Sequence, residues 1–180
     1  ASLKNATVSG CTDLTTVSIP ESVTTLGNSF FEECTNLKSI TLPSNLVSIG
    51  SSAFKNCAKL SAIVIPDNVS VLENSTFYNC TGLKEVTLSK ELTTVGEQAF
   101  QNCAALTAIE LPDGVMLIGE GAFSDCTSLT EINIPADVSI IEASTFSGCT
   151  GLENVTFTEG LTYIKGNAFG NCTKLKNVKF

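Results

Sequence analysis

Apolar and polar positions along this chain repeat with a long period, and within one period they change rhythm twice. In the stretch from Leu37 to Lys59, Leu37, Ile40 and Leu42 follow an L-x-x-I-x-L spacing. Ile40 and Leu42 stand two apart, so they share the inner face of an extended strand, with Ser39 and Thr41 on the outer face. Pro43 lacks a backbone donor and ends that strand, and Ser44 and Asn45 supply turn-forming side chains. Leu46 and Ile49 return to the interior in a second, shorter extended segment, and Gly50 permits a bend. Ser51-Ser52-Ala53-Phe54 reads as the start of a short helical or 3₁₀ turn, which sets Phe54 and Cys57 on one face at i and i+3.

The same order of columns recurs down the whole chain. Cysteines fall at 11, 34, 57, 80, 103, 126, 149 and 172, each 23 residues from the last, and a leucine follows each three positions later, from Leu14 to Leu175. Seven phenylalanines, from Phe31 to Phe169, stand three before a cysteine. A fixed period of this kind is the signature of a solenoid, in which a unit buries its apolar face only by stacking on its neighbours. The predicted fold is an α/β solenoid of 23-residue coils, with a parallel strand face, a second short-strand face and short helical or 3₁₀ turns. A single domain spans 1–180. Residues 1–10 form a partial coil, with Leu3 and Val8 in the Ile and Phe columns, and 11–180 form about seven and a half coils. A right-handed parallel β-helix is the alternative architecture.

The unit L-x-x-I-x-I-P-x-x-V-x-x-I-G-x-x-A-F-x-x-C-x-x-L resembles the BspA-like (Treponema pallidum-type) leucine-rich repeat. Clear copies run from Leu37 to Leu60 and from Leu106 to Cys126. Ser89 and Thr158 depart from the pattern in the Pro column, Glu73, Glu142 and Lys165 in the Gly column, and Phe30 in a column otherwise filled by Ala or Thr. The resemblance implies a secreted or cell-surface protein of a bacterium or a protozoan parasite, associated with adhesion to host components or other microbes. It implies no shared catalytic residue and no shared ligand.

Charge and composition narrow the functions further. Ten lysines against 18 acidic residues give a net charge of −8, which excludes a phosphate-binding basic stripe and with it a nucleic-acid partner. No apolar run reaches the length of a transmembrane helix, so no membrane insertion is expected. The absence of His, Trp and Arg excludes His-based catalysis, His-ligated metal and bidentate Arg clamps. No phosphate-cradling loop, nucleophile elbow or metal motif is present, so the chain reads as no enzyme, with no cofactor and no metal. A polysaccharide-acting enzyme is the remote alternative, through paired carboxylates. The cysteines could form a buried reduced ladder, disulfides or a metal site. Stacking places equivalent cysteines about one strand spacing apart with parallel side chains, which favours the ladder.

A partner is expected on the outward columns, since the inward ones are committed to packing. The candidate binding face comprises Ser39, Thr41, Lys84, Glu85, Thr87, Glu110, Glu131 and Asn133, a polar platform acidic at Glu85, Glu110 and Glu131. Met116, Leu117, Ile140 and Tyr163 form a candidate apolar patch if their column faces outward. The turn acids Glu21, Asp67, Asp113 and Asp137 read as turn formers rather than a cation site. The Glu73/Thr76 and Glu142/Thr145 pairs replace Gly/Ala pairs and suggest a Glu–Thr hydrogen bond. The function expected is a non-enzymatic extracellular or cell-surface interaction module for a protein or glycan. A structural spacer or stalk displaying another domain is the alternative. The chain is expected to be part of a longer protein, or to associate end to end with another copy.

Overall fold

The computed structural model describes residues 1–180 as a parallel β-solenoid of about eight turns, one per cysteine. Each turn carries a long strand, except at residues 107–111, and a two-residue short strand. Ser39–Thr41, Ala62–Val64 and Glu131–Ile134 are examples of the first, and Ser48–Ile49 and Leu117–Ile118 of the second. All pairing is parallel and in register by one period, as in Thr16↔Ser39 and Thr25↔Ser48. The alternation expected of the long strand is present, with Ile40 buried between exposed Ser39 and Thr41.

The expected helical or 3₁₀ turns are not formed, and the fold is therefore not α/β. The segment from Gly50 to Cys57 is a chain of tight turns. Isolated i+3 bonds survive, such as Cys57 N–H to Phe54 O at 3.1 Å, so Phe54 and Cys57 do share a face. Continuation into a helix is prevented because two columns adopt left-handed backbone. Ser52, Ser75 and Gln98 belong to the first, with φ of 57°, 58° and 56°; Asn56, Asn79 and Asn102 belong to the second, with φ of 63°, 58° and 59°. The reversal turns every second N–H along the rod axis. Ser52, Phe54 and Asn56 accordingly donate to Asn74 O, Thr76 O and Tyr78 O of the next coil, at 2.8 to 3.0 Å, and this triplet recurs between all successive coils.

One continuous apolar core fills the rod. Phe31, Phe54, Phe77, Phe100, Phe123, Phe146 and Phe169 stack ring on ring, centroids 5.2–5.5 Å apart and planes within 3–16°. The cysteines are free, and buried from Cys34 to Cys149. Each thiol in the series donates to the carbonyl of the aromatic column one coil back, as Cys80 does to Phe54 O at 3.0 Å and Cys103 to Phe77 O at 3.3 Å. Burial pushes these thiols up in pKa, to about 12 at Cys80 and Cys149.

Candidate functional site

The outward columns of the long strands make a face whose hydrogen bonding is incomplete. Thr16–Ser18 pairs with Ser39–Thr41, Ala62–Val64 with Glu85–Thr87, and Glu131–Ile134 with Asn154–Phe157 and through it Asn177–Lys179. Between these blocks the ladder is open. Residues 107–111 form no strand, and no backbone hydrogen bond joins them to the coil of Lys84–Leu88. The axial bonds of the turn side stay closed immediately before and after this break, Phe77 N–H to Ala99 O and Phe100 N–H to Ala122 O, both 2.8 Å. The core spacing therefore stays constant while the strand side is unlaced.

The opening is a groove of about 650 Å³. Lys84, Glu85, Thr87 and Lys90 stand on one wall, and Glu110 and Asp113 on the other. Ile109 and Leu88 close its floor as buried residues. Both signs of charge and unpaired main-chain groups thus face one cleft, which suits a partner carrying its own polar backbone or hydroxyl groups. A second groove of about 480 Å³ lies at the other break, between Ile40–Ser44 and Ala62–Asp67.

All eight residues expected on the binding face are outside the core. Lys84, Glu85, Thr87 and Glu110 come together in the larger groove and Thr41 lines the smaller one. Ser39 is exposed beside the smaller groove, and Glu131 and Asn133 are exposed one coil beyond the larger. Lys90 and Asp113 were not singled out for this face. They occupy turn positions, and only the unlacing of one strand pair turns them towards a common cleft. The column of Met116, Leu117, Ile140 and Tyr163 does face outward, on the short-strand side, with Tyr163 60% exposed.

The turn carboxylates act as local acceptors. Glu21 Oε2 accepts from Ser44 N–H and Oγ–H at 3.0 Å, and Asp67 Oδ1 accepts from Lys90 N–H at 3.1 Å. Each ties one turn to the next, and no group of three acidic or thiol side chains converges as a metal site would. The asparagines before the cysteines bond to one another along the rod, Asn79 Nδ2 to Asn56 Oδ1 at 2.8 Å and Asn102 Nδ2 to Asn79 Oδ1 at 2.5 Å. The Glu–Thr pairs use the main chain: Thr76 and Thr145 hydroxyls donate to the carbonyls of Glu73 and Glu142, at 2.6 and 2.8 Å.

Comparison with known proteins follows the period. The sequence model of the BspA type leucine rich repeat region matches in six copies, over residues 1–115 and 73–180. A leucine-rich repeat protein from Bacteroides ovatus ATCC 8483 is 33% identical, with a TM-score of 0.77 over 98% of this chain. The chain spans 51% of that protein's length. The Treponema pallidum leucine-rich repeat protein is 29% identical, with a TM-score of 0.65, over 97% of this chain and 71% of its own. No curated protein matches the sequence.

Proposed function

The chain belongs to the BspA-type leucine-rich repeat family, and from that premise we propose a non-enzymatic interaction module that takes a protein or glycan on its long-strand face. The observation that carries this reading is the unlaced groove between the coils of Lys84 and Glu110. It offers main-chain donors and acceptors together with Lys84, Lys90, Glu85, Glu110 and Asp113 on a rigid support. Groups held this way lose little entropy when a partner pairs with them, so polar contacts give more net affinity than on a mobile loop. The family resemblance adds a secreted or cell-surface location, with host or microbial surface components as the partner class.

A panel of immobilised extracellular glycoproteins and glycans, read by surface plasmon resonance, tests the proposal. The triple variant Glu85→Ala, Glu110→Ala, Glu131→Ala is expected to bind at least tenfold more weakly to any panel member that the unaltered chain holds. Its circular dichroism and melting point should stay unchanged, because all three side chains are exposed. Equal affinity of the two proteins would remove the strand face from consideration. The spacer reading has one observation in its favour, the axial ladder of the turn side, which runs the length of the rod without a gap. It becomes the better account if no panel member binds.

A further inference from the structure

The turn side of the rod changes its lining at one interior coil. The column of Ser52, Ser75, Gln98 and Ser144 holds left-handed backbone, and at Gly121 it keeps that conformation, with φ of 61°, but has no side chain. Three residues on, the next column shrinks at the same coil, from Tyr78 and Gln101 to Ser124 and Ser147. Two long side chains thus fall away together. The backbone does not close behind them, because the axial bonds hold the coils at their spacing. Gln98 N–H donates to Glu120 O at 2.9 Å and Gly121 N–H to Ala143 O at 3.0 Å.

The result is a cavity of about 440 Å³ that spans three coils and has no apolar residue in its lining. Gly121 and Ser124 are its buried residues, and Glu97 and Glu120 bring exposed carboxylates. Gln101 Oε1 is the one buried side-chain oxygen or nitrogen of the chain without a hydrogen-bond partner. That oxygen stands at the gap, 3.9 Å from where a Cβ would lie on Gly121. A buried acceptor left unmatched lowers stability, and the donor it lacks has to come from outside the chain.

The lining restricts what that donor can belong to. Acceptors predominate: two carboxylates, the Gln101 oxygen and the Ser124 hydroxyl, whose own proton goes to Asp125 Oδ2 at 3.3 Å. No lysine lines the cavity, so a carboxylate, sulfate or phosphate group would meet only repulsion there. The volume falls within the roughly 300–1,000 Å³ of small-molecule sites and is far more than a bare cation fills. A cationic group would also have to leave water to reach the buried Gln101 oxygen, at a greater cost than a neutral hydroxyl. Several hydroxyls on one ring meet all of these conditions. Each can donate to a carboxylate or amide oxygen and accept from Ser144 or Ser147.

We propose that the cavity at Gly121 binds a neutral sugar residue of a glycan, held by Gln101, Ser124 and the carboxylates of Glu97 and Glu120. The site lies on other columns than the long-strand groove and does not depend on it.

Amide NMR of the full chain, titrated with maltotetraose, mannotetraose, galactotetraose and xylotetraose, tests this. At least one of the four is expected to shift the amides of residues 97–101 and 120–124. Gly121→Gln fills the gap with the residue of the coil before, which already holds a φ of 56°, and a Cβ at Gly121 meets nothing nearer than 3.7 Å. That variant should fold as before and bind at least tenfold more weakly. Gln101→Met has a similar length but lacks the unmatched oxygen. It should lose binding to the same extent yet melt at a higher temperature, a pair of effects that a purely structural glutamine would not give. Glu110→Ala, in the groove, should bind like the unaltered chain, so failure at this cavity leaves the long-strand reading standing. The proposal is overturned if none of the four sugars shifts these amides, whether or not calcium chloride or spermidine does. It is equally overturned if Gly121→Gln binds as tightly as the unaltered chain, or if Glu110→Ala removes the shifts.

Discussion

A cysteine recurs in this repeat because its position needs a small apolar group that can also donate one weak hydrogen bond. The Phe54 carbonyl already accepts Cys57 N–H at 3.1 Å, and the Cys80 thiol fills its second lone pair at 3.0 Å. Serine at this site would bring a stronger dipole into an apolar core, and alanine would leave that lone pair unmatched. The phenylalanine column works by area and shape. Each ring from Phe54 to Phe146 lies between two others, so truncating one removes contacts on both faces. Phe100→Ala is expected to cost about 3–5 kcal/mol, as large core truncations do, and Phe169→Ala at the half-covered end distinctly less. Urea titration of the two variants checks the order, and equal costs would contradict a stacked column.

At the scale of the element, the Gly column decides whether short strands stay laced. A Cβ at Gly96 would lie 2.7 Å from Glu73 C and 2.8 Å from Asn74 N, and one at Gly50 or Gly119 would meet the preceding backbone as closely. With glycine there the coils approach, and Gly50, Gly96 and Gly119 N–H donate to Leu26, Leu72 and Val95 O at 3.0, 2.8 and 2.8 Å. Glu73 and Glu142 make no such bond, and the breaks in the short-strand sheets fall at these two coils. Two positions depart from this: Gly27 makes no such bond, and Lys165 keeps one to Ile141 O at 2.9 Å while pairing its ammonium with Glu142. Gly96→Glu is therefore expected to destabilise by about 1–3 kcal/mol through overpacking and a lost ladder bond. Glu73→Gly should re-form the bond to Ile49 O, so the amide at position 73 gains protection in hydrogen exchange. An unchanged exchange rate there would separate the break from the glutamate.

For the whole molecule, the buried thiols set a limit on alkaline stability. Burial raises the thiols of Cys57, Cys80, Cys103, Cys126 and Cys149 above their ordinary range. A group with a raised folded pKa gives its full stability below the unfolded value and loses it as pH climbs towards the folded one. The window therefore opens near pH 9, where unfolded thiols ionise, and extends to about 12. Each enclosed thiol costs about 1.4 kcal/mol per pH unit in that window, so five cost about 7 kcal/mol per unit, comparable to the whole stability of a domain. Cooperative unfolding near pH 10 is the expected result. Cys103→Ala should flatten the fall of unfolding free energy with pH by about one fifth. Denaturant titrations between pH 8.5 and 10 measure that slope, and a flat profile would show the thiols to be reachable by water.

The period, the identity of the inward columns and the parallel stacking were determined by the sequence alone, because burial on a repeating unit leaves a mark every 23 residues whatever the turns do. Ser39, Glu85 and Glu110 could likewise be placed outside, since strand alternation sends them away from Ile40, Val86 and Ile109. The Asn, Asp and Gly residues before the cysteines signal left-handed backbone that can also end a helix, while Ser52, Ser75 and Gln98 carry no local signal of it, so the turns read as helical. That conformation is held by axial bonds to the next coil, which exist only once the coils stack. The groove was legible only in part. Its charges stand in the sequence, but the unlacing that brings Lys90 and Asp113 to it depends on how one strand pair sits while the turn ladder fixes the spacing behind it. Which coils touch closely and which stand open is a balance among neighbours along the rod, and no single repeat contains it.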